Sequence, residues 1–261
     1  MRLSTLLPTL VLTALTFAQT ISGPTDCLPA GNYNLCQNLW GRANLHSRYF
    51  MFMVGIVFRR QSGVGSQSST LTSSNGNNIA WTTNYTWANG PNSVKSYANV
   101  ESSVAKGVQL SAIRSAPTIW TWHYGTQSQG IRADVAYDIW TGIARSGAPA
   151  SSASSYEIMI WLSGLGGIQP VGSPVAQGIS VAGHTWDLWR GPNTNWQVLS
   201  FKNVGADITN FNVDLNQFFQ YLIQNQGVSS SQFIQSIQAG SEPFTGTANL
   251  VTSNYSVSIG T

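Results

Sequence analysis

From Ile79 to the C-terminus, apolar and polar residues alternate, and the alternating runs are cut at short intervals by clusters of Gly, Asn, Ser and Pro. A period of two places successive side chains on opposite sides of an extended chain, so this pattern excludes a helical fold and specifies short strands joined by turns. In "AWTTNYTWANG" the residues Trp81, Thr83, Tyr85 and Trp87 share a face, and in "TIWTWHYG" so do Trp120, Trp122 and Tyr124. This spacing of strands and turns is that of a sandwich or jelly roll. Composition agrees: 42% of residues are hydrophobic and only 8% charged, too few charges to coat long surface helices. One segment breaks the rule. "NFNVDLNQFFQYLIQNQG" sets Leu215, Phe218, Phe219 and Leu222 at helical spacing, with Asn210 or Asn212 as cap and Gly227 as stop. It predicts a single helix packed on the outside of a sheet.

The N-terminus places Arg2 before an apolar stretch to about Phe17 and a small residue at Ala18. That is the layout of a secretory signal over residues 1–18, and the stretch is shorter than the roughly 20 residues of a spanning helix. Residues 19–261 contain no internal repeat or low-complexity linker and read as one domain. Cys27 and Cys36 in "CLPAGNYNLC" read as a local disulfide closing a hairpin. Asn84 and Asn254 open glycosylation triplets. The net charge of +3 draws on Arg42, Arg48, Arg59 and Arg60 in one segment, so no basic stripe points to nucleic acid. His46, His123 and His184 form no metal-spaced set, and no metal site is expected.

Acidic residues number nine, and one of them sits inside the apolar run "YEIMIWL". Alternation sends Tyr156, Ile158, Ile160 and Leu162 to one face and Glu157, Met159 and Trp161 to the other. A carboxylate between a thioether and an indole suits a groove that holds sugar rings on apolar plates. A second carboxylate is then required. Glu242 in "QAGSEPFTG" shares a face with Gln238 and Gly240 and reads as strand, and Asp138 in "ADVAYDIW" shares one with Ala136 and Trp140. Glu101, among Ser and Lys, reads as a solvated acid. Two carboxyls roughly 5 Å apart are what retaining glycoside cleavage needs, one attacking carbon and the other handling protons.

"QNLWG", "SVKSY", "VAYDIW", "YEIMIWL" and "QAGSEPFTG" together resemble glycoside hydrolase family 12, from about Asn32 to the end. The resemblance implies a β-jelly-roll of two antiparallel sheets with a concave cleft, and a secreted, retaining endo-β-1,4-glucanase. It implies that Glu157 is the nucleophile, Glu242 the acid/base and Asp138 the carboxylate beside the nucleophile. By the same resemblance Asn38 and Trp40 contact sugar on the non-reducing side, Met159 and Trp161 form the floor, and Lys95 makes a weaker contact. No cofactor is implied. The partner is a β-glucan polysaccharide, not nucleic acid and not a membrane once the signal is removed, and the chain is expected to act as a monomer. "YEIMIWL" followed by "SGLGGIQPVG" looks like the xyloglucan-cutting branch, with unbranched β-1,4-glucan or non-catalytic sugar binding as the alternatives.

One stretch departs from that pattern. Between "QNLWG" and "GSQ" the chain inserts "RANLHSRYFMFMVGIVFRRQSGV", an atypical insertion at about residues 42–64 with a continuous apolar run from Tyr49 to Phe58. Its composition reads as a retained intron or gene-model error, the rivals being a membrane- or partner-binding insertion and an extra hairpin.

Overall fold

The structure is a computed structural model that describes residues 18–41 and 63–261. Residues 1–17 of the expected signal and 42–62 of the expected insertion lie outside the described residues. Fifteen strands and one α-helix follow in chain order: β1 Gln19–Ile21, β2 Cys27–Ala30, β3 Tyr33–Cys36, β4 Val64–Asn75, β5 Asn78–Ala88, β6 Ala98–Ser102, β7 Pro117–Gln127, β8 Arg132–Gly142, β9 Tyr156–Leu165, β10 Ser173–Val181, β11 His184–Asn193, β12 Trp196–Asn203, β13 Asn210–Asp214, α1 Asn216–Gln226, β14 Phe233–Ser241 and β15 Pro243–Val257. The all-β expectation holds.

The first sheet runs β1-β4-β5-β15-β7-β13, all antiparallel. The second runs β2-β3-β6-β14-β8-β9-β12-β11-β10, antiparallel except for the parallel β9–β12 pair. Strand β15 joins the two, because its first residues pair with β8 before it enters the first sheet.

The period-two faces meet between the sheets. Trp81 and Trp120 from the first sheet pack with Tyr137 from the second and with Tyr33 and Tyr255. Two of these rings also satisfy their polar ends: Trp120 Nε1 donates to Thr252 Oγ1 at 3.0 Å, and Tyr137 Oη pairs with Thr118 Oγ1 at 2.8 Å. The expected disulfide is present between Cys27 and Cys36, which face each other across the β2–β3 pair.

The helix differs from expectation at two points. Its cap is not Asn210 or Asn212, which belong to β13 and pair with β7. That pairing carries the extended chain on to Asp214, whose Oδ1 accepts the backbone N–H of Asn216 at 2.9 Å. The helix also does not lie outside a sheet. Phe218 packs against the core-facing Trp186 and Phe201, so α1 covers part of the inner face of the second sheet. Its stop is as expected, at Gly227 in the left-handed conformation (φ 69°).

Candidate active site

The second sheet has one face in the core and one over a cleft, and β8 and β9 sort their side chains between them as alternation requires. Val135, Tyr137, Ile139, Ile158, Ile160 and Leu162 join the core cluster. Ala136, Trp140, Met159 and Trp161 join a separate apolar cluster with Trp196, Val198 and Ile168 on the other side. The carboxylates Asp138 and Glu157 follow the second set. Cross-strand register sets Trp140 opposite Glu157 and Asp138 opposite Met159, so the two acids are diagonal neighbours on one face.

Glu157 is buried, and its Oε2 accepts the indole N–H of Trp196 at 2.7 Å. Burial raises its pKa, while that indole and the side chain of Asn193 pull it back down. Asp138 is pushed well above the carboxylate range, first by burial and then by the charge of Glu157. Its Oδ2 accepts the Trp140 indole N–H at 2.9 Å, and its Oδ1 has no hydrogen-bond partner.

Glu242 occupies the junction between β14 and β15 rather than the interior of a strand. Its backbone N–H donates to Asp134 Oδ1 at 2.9 Å, and its carbonyl accepts from the Asp134 N–H at 3.3 Å. Burial raises the Glu242 pKa most, followed by the charges of Asp134, Glu157 and Asp138 and a side-chain hydrogen bond to Asp134. Glu242, Glu157 and Asp138, from three separate stretches, therefore act on one another across one cleft. The residue keeps partial exposure, which a group that must reach a ligand needs.

Met159 and Trp161 form a packed floor, both nearly inaccessible, with the Trp161 indole N–H 3.5 Å from Met159 Sδ. Asn38 and Trp40 stand on an exposed edge, Trp40 with 54% of its surface open. Asn38 holds a left-handed backbone (φ 41°), fixed by the Tyr97 N–H bonding its carbonyl at 2.9 Å. Lys95 departs from expectation. It is fully buried, and its ammonium donates to the carbonyls of Gly90, Ser93 and Phe244 at 2.7, 2.6 and 2.8 Å. An ammonium has three protons, so none remains for a sugar.

Residues 31–260 match the model of glycosyl hydrolase family 12. The chain belongs to that family. It is 41% identical over 242 residues to the xyloglucan-specific endo-beta-1,4-glucanase A of Emericella nidulans, covering 91% of this chain and 90% of that one. A probable xyloglucan-specific endo-beta-1,4-glucanase A of Aspergillus terreus is 44% identical over 234 residues, covering 88% and 83%. Among solved structures, the catalytic domain of Humicola grisea Cel12A in complex with a thio cellotetraose superposes with TM-score 0.80 at 32% identity, over 93% of this chain and 99% of that one. Endoglucanase 3 of Trichoderma harzianum gives the same TM-score at 34% identity, over 95% and 100%.

Within this family-12 cleft the sequence reading missed two residues. Asp134 carries a visible signal, since it lies four positions before Asp138 and alternation puts both on one face. Burial lifts its pKa to about 7, with the backbone N–H and side chain of Glu242 opposing, and its Oδ2 has no donor unless a proton is shared. Trp196 carried no usable signal, because only the parallel pairing of β9 with β12 brings it to Glu157.

Proposed function

We propose that this protein is a secreted, retaining endo-β-1,4-glucanase that cuts internal bonds of plant cell-wall β-glucans, with xyloglucan as its preferred substrate. The observation that carries this reading is the mutual influence of Glu157 and Glu242 across the cleft: hydrogen bonds from Trp196 and Asn193 oppose the rise that burial imposes on Glu157, while burial and the neighbouring carboxylates push Glu242 well toward its protonated form. In the first step the Glu157 carboxylate bonds to the anomeric carbon while the bond to the leaving oxygen breaks and Glu242 gives that oxygen its proton. A glycosyl ester on Glu157 results. In the second step Glu242 removes a proton from water, the water oxygen bonds to the anomeric carbon, and the ester bond breaks. Asp138, pushed toward its protonated form by burial and by the charge of Glu157, lessens the negative charge beside the nucleophile. The carboxyls supply all proton and covalent work, so the chemistry calls for no cofactor.

Three features support the finer points. One relative is named a xyloglucan-specific endo-beta-1,4-glucanase A and the other a probable one. The rim turn "GLGG" carries Gly166 and Gly167 with φ near +70°, and a Cβ on Gly167 would meet open space, which leaves room beside a branched chain. For secretion, the support is the signal-like N-terminus. The reading has the chain working as a monomer on polysaccharide.

Glu157→Gln tests the assignment. The amide oxygen can still accept the Trp196 N–H, but the side chain cannot form the ester. Hydrolysis of xyloglucan, carboxymethyl cellulose and mixed-linkage glucan, run in parallel, should vanish while polysaccharide binding persists. Undiminished turnover refutes the nucleophile; binding without turnover by the unaltered chain makes it a sugar-binding protein instead.

A further inference from the structure

Lys95 is a buried cation with no carboxylate against it among the described residues, surrounded by main-chain carbonyls from separate stretches. Those stretches are not arbitrary. Phe244 follows Glu242 by two residues, and Gly90 and Ser93 belong to the turn between β5 and β6. The main chain of Lys95 adds three more ties: its N–H donates to Pro243 O at 3.0 Å, and its carbonyl accepts from the N–H groups of Trp40 at 3.2 Å and Gly41 at 2.8 Å. The next residues continue the junction, with Ser96 bridged to Leu39 and the Tyr97 N–H bonded to Asn38 O. The lysine stem fits because Gly63 has no side chain; a Cβ there would overlap Lys95 Cδ and Cε, and one on Gly41 would overlap the Lys95 main chain.

We propose that Lys95 is a positioning residue: its ammonium, spent on the carbonyls of Gly90, Ser93 and Phe244, locks the main chain beside Glu242 to the turn between β5 and β6, while its backbone ties that turn to the Asn38–Gly41 edge. The inference rests on Glu242 being the acid/base of the reaction. Lys95 acts by geometry and not by charge, since the groups that shift Glu242 are Asp134, Glu157 and Asp138, and Lys95 is not among them. A displacement of about 1 Å at a reacting group is enough to cost up to about a hundredfold in rate.

Lys95→Met keeps the volume of the stem and removes the donors. The expected result on xyloglucan is a fall in kcat of about tenfold or more, a KM change of less than about threefold, and pH midpoints of kcat/KM that match the unaltered chain. Leu222→Ala, in the buried face of α1, serves as a control that destabilises the fold away from the cleft and should leave kcat within about twofold. Unchanged kcat in folded Lys95→Met overturns the proposal, as does an equal kcat loss in Leu222→Ala. Should Lys95→Met fail to fold, reductive methylation of the native chain, read by mass spectrometry, replaces it: Lys106 and Lys202 should be modified and Lys95 spared, and modification of Lys95 at their rate overturns the proposal. If Glu242→Gln remains active instead, the acid/base assignment fails and the role given to Lys95, which rests on it, is overturned with it.

Discussion

Replacing Asp134 by Asn changes one atom in the cleft and separates the two consequences of its charge. The carbonyl oxygen of Asn can keep the Glu242 backbone N–H that Oδ1 now accepts. Its Nδ2 then stands where the unpartnered Oδ2 lies, turning an acceptor for the Glu242 proton into a donor. Asp134 is the largest contributor after burial to the raised Glu242 pKa, and its side-chain hydrogen bond raises it further. Removing both should lower the pKa of the Glu242 acid. The alkaline limb of kcat/KM, measured on xyloglucan across pH, should move to lower pH by the same amount. Stability gives an independent readout. Ionising Asp134 costs more in the folded chain than in the unfolded one, so its contribution is fully present below the unfolded pKa of 3.8 and is lost as pH rises through about 7. Three units at about 1.36 kcal/mol each set a ceiling of about 4 kcal/mol on that loss. The melting temperature of the unaltered chain should therefore fall more steeply between those pH values than that of the Asn variant. Superimposable alkaline limbs and parallel stability curves would refute a proton shared between Asp134 and Glu242.

Two further outcomes follow from the same geometry. Trp196→Phe keeps the ring against Trp140, now 5.2 Å away, but removes the N–H that Glu157 accepts; the Glu157 pKa should rise, moving the acid limb of kcat/KM to higher pH. An unmoved acid limb would show that this indole does not hold the nucleophile charged. The described residues on either side of 42–62 meet: the Gly63 N–H donates to Gly41 O at 2.9 Å, the hydrogen bond that closes a four-residue turn. Replacing residues 42–62 by Asn-Gly should therefore leave the melting temperature within a few degrees and preserve xyloglucan hydrolysis; a variant that fails to fold shows that the excised segment is part of the domain.

What could be read from the sequence was whatever depends on period two alone. Ile158 and Ile160 went to the core, Met159 and Trp161 to the cleft, and Glu157 with them, because a strand buried on both faces still alternates between two different neighbours. What could not be read depends on pairing between distant stretches. Trp196 reaches Glu157, 39 residues away in the chain, only through the parallel β9–β12 register, and nothing local encodes it. Lys95 shows a different limit. A lysine in a polar motif reads as a surface contact, since burying a charge is costly, and only the convergence of three carbonyls makes its burial tolerable. The helix cap failed for a related reason: Asn210 and Asn212 are good caps by type, but cross-strand pairing with β7 claimed them first.

The position of Glu242 joins these points. A residue inside a ladder has its side chain fixed perpendicular to the sheet and its backbone groups paired on both sides. Glu242 lies where β14 gives way to β15 and belongs to neither run, so its backbone groups need other partners, each worth about 1–3 kcal/mol if left buried and unpaired. Asp134 supplies them, taking the N–H on its carboxylate and giving its own N–H to the carbonyl. Lys95 does the same for the next two residues, through its backbone to Pro243 O and its ammonium to Phe244 O. The break frees the Glu242 carboxyl to meet Glu157 and Asp138, which sit in regular strands, and two buried charged side chains restore the hydrogen bonds that the break removed. Asp134 thereby governs the Glu242 proton and Lys95 its place, so pH dependence and rate belong to different residues around the same tripeptide.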